Sequence, residues 1–235
     1  MAHILCIETG TPTCSVALCE NGNFISIREL HAEETNHASN LSNFIQEVLK
    51  EGNISASQLS AVAVSKGPGS YTGLRIGVST AKGICYAAGI PLIAINSLKV
   101  MAQGAIASNK FVDPNTLICS TIDARRMEVY TAVYDLKLNC IMDTQALILS
   151  GESFADLLKV NKILFIGNGT GKVKSTINSP NTLYLEDILP SARFMIPLAY
   201  EQYNQKAFED VAYFEPFYLK DFVAIKSTKN ILGNG

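Results

Sequence analysis

The chain has 235 residues, 48% of them hydrophobic and 17% charged, and a formal net charge of −2. That is enough apolar material for a sizeable core in one or two domains, and the charge balance argues against a stand-alone nucleic-acid binder, which carries a basic stripe. The apolar start MAHILCIET is cut by Glu8 and lacks the basic n-region of a secretory signal, no stretch approaches the roughly 18 apolar residues of a membrane span, and the six cysteines form no CxxC pair. A soluble cytoplasmic protein with buried thiols is the expectation.

Residues 3–9 read as a strand, with Pro12 marking the turn after it. CSVALCE (14–20) is a second strand and FISIREL (24–30) its return, joined by Asn21-Gly22, two residues that tolerate positive φ. A helix over 36–51 follows, capped by Thr35 or Asn36. Leu41, Phe44, Ile45, Val48 and Leu49 give it one apolar stripe, and Gly52 ends it. A strand at 61–65 leads through the glycine-rich SKGPGSYTGLRIG (65–77) into a helix over 72–88. A strand at 91–95 and a helix at 97–108, capped by Asn96 or Ser97, complete the first half.

The order βββαβαβα describes a mixed sheet whose first three strands are antiparallel and whose later strands are joined by helical crossovers. It resembles the half-unit of the actin-like ATPase fold (the ASKHA group), an α/β architecture of two lobes. The predicted first lobe spans 1–108. NKFVDPNT (109–116) reads as a linker, and a second, reduced lobe with a C-terminal tail spans 109–235. In it, 117–123, 128–136 and 140–149 form another meander. A short helix (152–159), a strand (163–166) and a longer helix near 190–206 follow, and EPFYLKD (215–221) closes the chain. The letters show no internal repeat.

The glycine-rich loop at 65–77 carries no GK[ST], so no lysine is placed to meet a β/γ-phosphate, and Pro68 removes one donor. Ser70 or Thr72 caps the helix that follows. Gly73, Gly77 and Ala81 recur every four residues, a line of small side chains on one face. Glycine inside a helix costs about 1 kcal/mol against alanine, so two of them call for close packing, either within the subunit or against another chain.

ILCIETGTPTCSVAL, KGPGSYTGLRIGVSTAKGI, IDARRMEVY and EPFYLKD resemble the signature stretches of the bacterial TsaB (YeaZ-type) family, part of the Gcp/Kae1-like superfamily. The resemblance runs from the N-terminus to about residue 226. It implies a role in making threonylcarbamoyladenosine, a modification of the tRNA adenosine beside the anticodon. The implied partner is TsaD, which carries the transfer chemistry, with the ATPase TsaE joining the pair, a homodimer when the chain is alone, and tRNA met only through the complex. It favours a partner contact for the small-residue face and assigns Leu41, Phe44, Thr72, Gly73, Gly77 and Ala81 to that interface.

Members of the wider family are labelled peptidases, and the residues test that label. The catalytic relatives resembled here bear HxxxH on the helix after the third strand. Here His37 is followed four residues on by Leu41, and neither His31 nor His3 restores the pair. No histidine base is marked beside a nucleophile. For nucleotide chemistry, Glu8 is the one candidate acid near the first turn, and Thr13-Cys14 stand where the relatives continue with an acidic pair. GNGTGK (167–172) is a candidate adenosine loop but not a Walker A sequence. In IDARRMEVY, Ala124–Met127 turns a hairpin across which Asp123 and Arg125 pair, or meets a partner or tRNA. The sequence therefore reads as a non-catalytic subunit with no metal and no firm cofactor. An active ATPase or kinase with weak nucleotide binding, and a glycoprotease-type metallopeptidase, are the alternatives.

Overall fold

The computed structural model describes residues 1–31, 37–108, 113–186 and 188–220. The first sheet holds β1 (His3–Glu8), β2 (Thr13–Glu20), β3 (Asn23–His31), β4 (Ala61–Gly67) and β5 (Leu92–Asn96) in the order β3-β2-β1-β4-β5. β1 pairs antiparallel with β2 and parallel with β4. Their near-continuous apolar runs, LCI and AVAV, suit strands buried on both faces. Asn21 (φ 50°) and Gly22 (φ 80°) make the expected turn.

The second sheet holds β6 (Leu117–Asp123), β7 (Glu128–Tyr134), β8 (Cys140–Ile148), β9 (Ile163–Ile166) and β10 (Thr182–Leu185) in the order β10-β9-β6-β7-β8. Read from β8, this is the same third-second-first-fourth-fifth order as the first sheet. The second lobe is thus a complete topological copy in short elements. Two of these were not foreseen: β10 and the helix α5 (Thr170–Thr176). The helix expected at 152–159 is α4, Ala155–Val160.

α1 (His37–Glu51) and α2 (Tyr71–Ala88) cover one face of the first sheet. Between them Leu5, Ile7, Val16, Leu41, Val48, Val62, Val64 and Val78 form a closed apolar cluster. Burying each such side chain contributes roughly 1.5–3 kcal/mol.

The last helix of each lobe crosses to the other. α3 (Ser97–Ser108), which ends the first lobe's chain, presents Leu98, Met101, Ala102 and Ala105 to Ile118, Ala132 and Ile166 of the second sheet. α6 (Ala192–Gln205) returns from the second lobe and lays Met195, Ile196 and Ala199 on Ile4, Cys6, Ala17 and Ala61. All strands of each sheet come from one side of residue 108, but the helices that bury the sheets do not.

After α6 the chain runs back as an irregular strap. Glu209 forms an antiparallel bridge with Leu92. Lys82 Nζ donates to the carbonyls of Ala212 (3.1 Å) and Phe214 (2.9 Å). The Phe217 N–H donates to Lys66 O at 2.7 Å, and the Tyr218 ring lies 4.9 Å from that of Tyr71. Lys220 then reaches Glu128 in the second lobe.

Candidate functional site

The places where this fold could carry chemistry are the C-terminal ends of β1 and β6 and the loops that face them. Glu8 ends β1 and is fully buried. Its Oε1 accepts the Gly10 N–H at 2.6 Å, and its Oε2 has no hydrogen-bond partner among the described residues. The Ser65 hydroxyl beside it is engaged with Ser97 at 2.5 Å. Burial pushes the Glu8 carboxyl up to about 7, against the pull of the Gly10 N–H toward the charged form.

The loop 67–73 packs on the turn that follows Glu8. The Ser70 N–H donates to Gly10 O at 2.6 Å, and Gly69 sits so close that a Cβ there would collide with the Gly10 backbone. Gly67, at φ 104°, turns the chain onto Leu74 and the Phe217 carbonyl. Ser70, not Thr72, caps α2 by accepting the Gly73 N–H. The Thr9 hydroxyl donates to Gly73 O at 2.8 Å. The glycine-rich loop and the first turn of α2 therefore clamp the β1–β2 turn, with backbone against backbone.

That contact corrects the expected reason for the small-residue face. A Cβ at Gly73 would run into the Thr9 carbonyl and one at Gly77 into the Thr9 hydroxyl, both in the same chain. Ala81 and Leu41 are buried in the cluster under α1 and α2. Four of the six residues assigned to a partner contact thus face their own core, because the apolar stripe of each helix is taken up by the sheet beneath. Phe44 is half-buried against that cluster, and Thr72 is exposed. The outer face of α2 carries what sequence reasoning missed. Gly83 has open space around it, and Tyr86 is 85% exposed. The signal was available, since Thr72, Arg75, Ser79, Gly83 and Tyr86 recur at helical spacing opposite the glycine line.

In the second lobe the corresponding acid is Asp123. Its Oδ1 accepts the Arg125 backbone N–H at 2.7 Å and its Oδ2 pairs with Lys172 Nζ at 2.9 Å. The expected pairing with the Arg125 guanidinium is replaced by these two contacts. Partial burial pushes the Asp123 carboxyl up, but the Lys172 ammonium and the Arg125 N–H outweigh it and hold it below the usual aspartate range. GNGTGK folds back onto β6. Asn168 Oδ1 accepts the Asp123 N–H at 3.0 Å, the Gly169 N–H donates to Thr121 O, and Gly167 lies against Thr121 and Met101. Nothing in the letters links Asp123 to a lysine 49 positions on; only the fold brings them together.

A magnesium nucleotide does not fit these residues. The Glu8 carboxyl is fully buried, Asp123 already holds a cation, and the two glycine loops are packed on the β1–β2 turn and on β6. No group of three or more histidine, cysteine or carboxylate side chains able to hold a metal occurs among the described residues. The His37 side chain lies outside them. No described helix is long and apolar enough to cross a membrane.

Two lobes with the same 3-2-1-4-5 strand order, each closed by a helix from the other, define a two-lobed actin-like α/β protein. A model of the family described as TsaD: tRNA N6-adenosine threonylcarbamoyltransferase matches residues 30–226. The tRNA threonylcarbamoyladenosine biosynthesis protein TsaB of Escherichia coli (strain K12) is 34% identical, over 95% of this chain and 97% of that protein. Its counterpart in Haemophilus influenzae is 31% identical, over 95% of each. The solved structure of YeaZ from Pseudomonas aeruginosa superposes with a TM-score of 0.78 at 25% identity, covering 93% of this chain and all of that one. The chain belongs to the TsaB (YeaZ-type) family.

Proposed function

We propose that this chain is a non-catalytic partner of TsaD in the cytoplasmic complex that transfers a threonylcarbamoyl group to the tRNA adenosine beside the anticodon. The pathway comes from the names of the TsaB relatives. The observation that carries the non-catalytic part is the complete burial of Glu8, the acid at the end of the first strand, with the loop 67–73 packed on the turn that follows it. An acid that takes part in phosphate or water chemistry has to be reachable by them.

The contact with TsaD uses the outward side of α1 and α2. Phe44 and Thr72 remain in it from the expected set, and Gly83 and Tyr86 join them. An exposed tyrosine beside a bare helical glycine suits an aromatic anchor against a closely approaching helix. In isolation the same face pairs with a second copy, and TsaE joins the assembled pair.

Titration of the purified chain against TsaD tests this. Gly83→Leu fills space that nothing among the described residues occupies, so the folded monomer is not strained. Overpacking a close helix contact costs typically 1–3 kcal/mol, which weakens the complex roughly five- to hundredfold. Unchanged affinity for both Gly83→Leu and Tyr86→Ala would remove α2 from the interface. Loss of tRNA modification on Glu8→Ala with assembly intact would show that the first lobe does chemistry.

A further inference from the structure

The hairpin turn between β6 and β7 is a part of the sequence that the proposed function does not use. Arg125 (φ 69°) and Arg126 (φ 47°) both occupy the left-handed region, where hairpin turns normally place asparagine and glycine. Two consecutive arginines there are a strained choice that packing does not explain, because both side chains are exposed.

Their charges are also uncompensated. The carboxylates at either end of the turn already have other cations: Asp123 pairs with Lys172, and Glu128 pairs with Lys220, the last described residue of the strap. Among the described residues neither arginine has an ion-pair partner. Asp123 contributes a hydrogen bond to the Arg125 backbone, which holds the turn and leaves the guanidinium free. Among the described residues, four cations against two carboxylates leave two positive charges at the tip, in a chain whose net charge is −2. Among the described residues, the large exposed apolar side chains beside the turn are Met127 and Ile148, 47% and 72% exposed. That is far from the roughly 800 Å² that each partner of a standard protein interface buries. A convex tip with two planar, fork-shaped donors suits phosphate groups, which need reach and charge rather than area.

We propose that the 124–127 turn binds the phosphodiester backbone of an RNA, with Arg125 and Arg126 each contacting one phosphate. This rests on the proposed function, which brings a tRNA to the complex. The contacts are independent of base sequence and add to whatever the partner supplies.

The test is the salt dependence of tRNA binding by the chain assembled with TsaD, measured by fluorescence anisotropy of labelled tRNA between 50 and 200 mM salt. Losing two phosphate contacts makes the slope of log K against log salt shallower by about 1.4–1.8. Across that fourfold range the unmodified complex then loses roughly seven- to twelvefold more affinity than one carrying Arg125→Gln and Arg126→Gln. The double variant keeps its melting temperature and its affinity for TsaD, and Lys159→Gln with Lys162→Gln, on the far side of the lobe, leaves the slope alone. An unchanged slope in the arginine variant, or an equal change in the lysine control, overturns the proposal. So does a loss of TsaD affinity in place of the slope, which would assign the turn to an acidic protein surface. If the unmodified chain and TsaD do not associate, the proposed function fails instead, and the same salt series on the chain alone decides the arginine contacts.

Discussion

Glu8 and Asp123 occupy the same place in the two lobes, at the C-terminal end of the first strand, and their surroundings are opposite. Glu8 is fully buried beside the turn that the glycine-rich loop clamps, with one oxygen unbonded among the described residues and the carboxyl raised to about 7. Asp123 lies near the surface, with a lysine on one oxygen and a backbone N–H on the other, and is held low. The first lobe removed its acid from solvent, and the second gave its acid a resident cation. The same topology reached two closed ends by different physics, desolvation in one and ion pairing in the other.

The largest effect should come from the clamp in the first lobe. Gly73→Ala puts a methyl group into the Thr9 carbonyl, and neither backbone can yield without disturbing the β1–β2 turn. A loss of about 3 kcal/mol is expected, toward the upper end of overpacking costs. For a chain of this size that lowers the melting temperature by roughly 6–12 °C. Gly171→Ala at the start of α5 meets nothing within 4 Å and should leave the melt unchanged or slightly raised. Equal melts for the two variants would erase the asymmetry between the lobes.

Glu8 should give a pH signature that Asp123 does not. Its folded-state value of about 7 lies above the ordinary glutamate value of 4.5. The folded state therefore holds the proton more tightly than the unfolded state, and stability is fully present below about 4.5 and lost as pH rises through 7. The linkage amounts to about 2–3 kcal/mol between those limits. Glu8→Gln removes the titrating group, so its melting temperature should lose this fall, and from pH 5 to 8 the variant should overtake the unmodified chain. Parallel melting curves across that range would place Glu8 in contact with water.

The smallest effect belongs to Asp123. Its lowered pKa has the opposite sign, stabilising above the ordinary aspartate value and fading as pH falls below it. Because the ion pair is partly exposed, Lys172→Ala should cost no more than about 1 kcal/mol at neutral pH, and raised salt should shrink even that. A loss as large as that of Gly73→Ala would mean that Lys172 holds the β6–β7 hairpin itself.

The strands, most helix boundaries and the tight turns were legible because they rest on local rules. Asn21-Gly22 needs positive φ, Ser70 caps the helix after it, and a period of two or of 3.6 residues separates strand from helix. α5 and β10 were missed because they are only seven and four residues long, too short for a period to emerge beside the Gly and Asn around them. The duplicated topology left no repeat in the letters, although the second three-strand meander was legible, since each lobe meets the same layout with different side chains.

The sequence by itself determined that the glycine line of α2 must lie against something close, because two glycines in a helix are not otherwise stable there. Only the tertiary structure decided that Thr9 of the same chain fills that contact, and that the open face is the one bearing Gly83 and Tyr86. A helical period reports which residues share a face. It says nothing about which surface covers that face, because the covering residues lie far away in the chain and are brought there by the closing of the sheet.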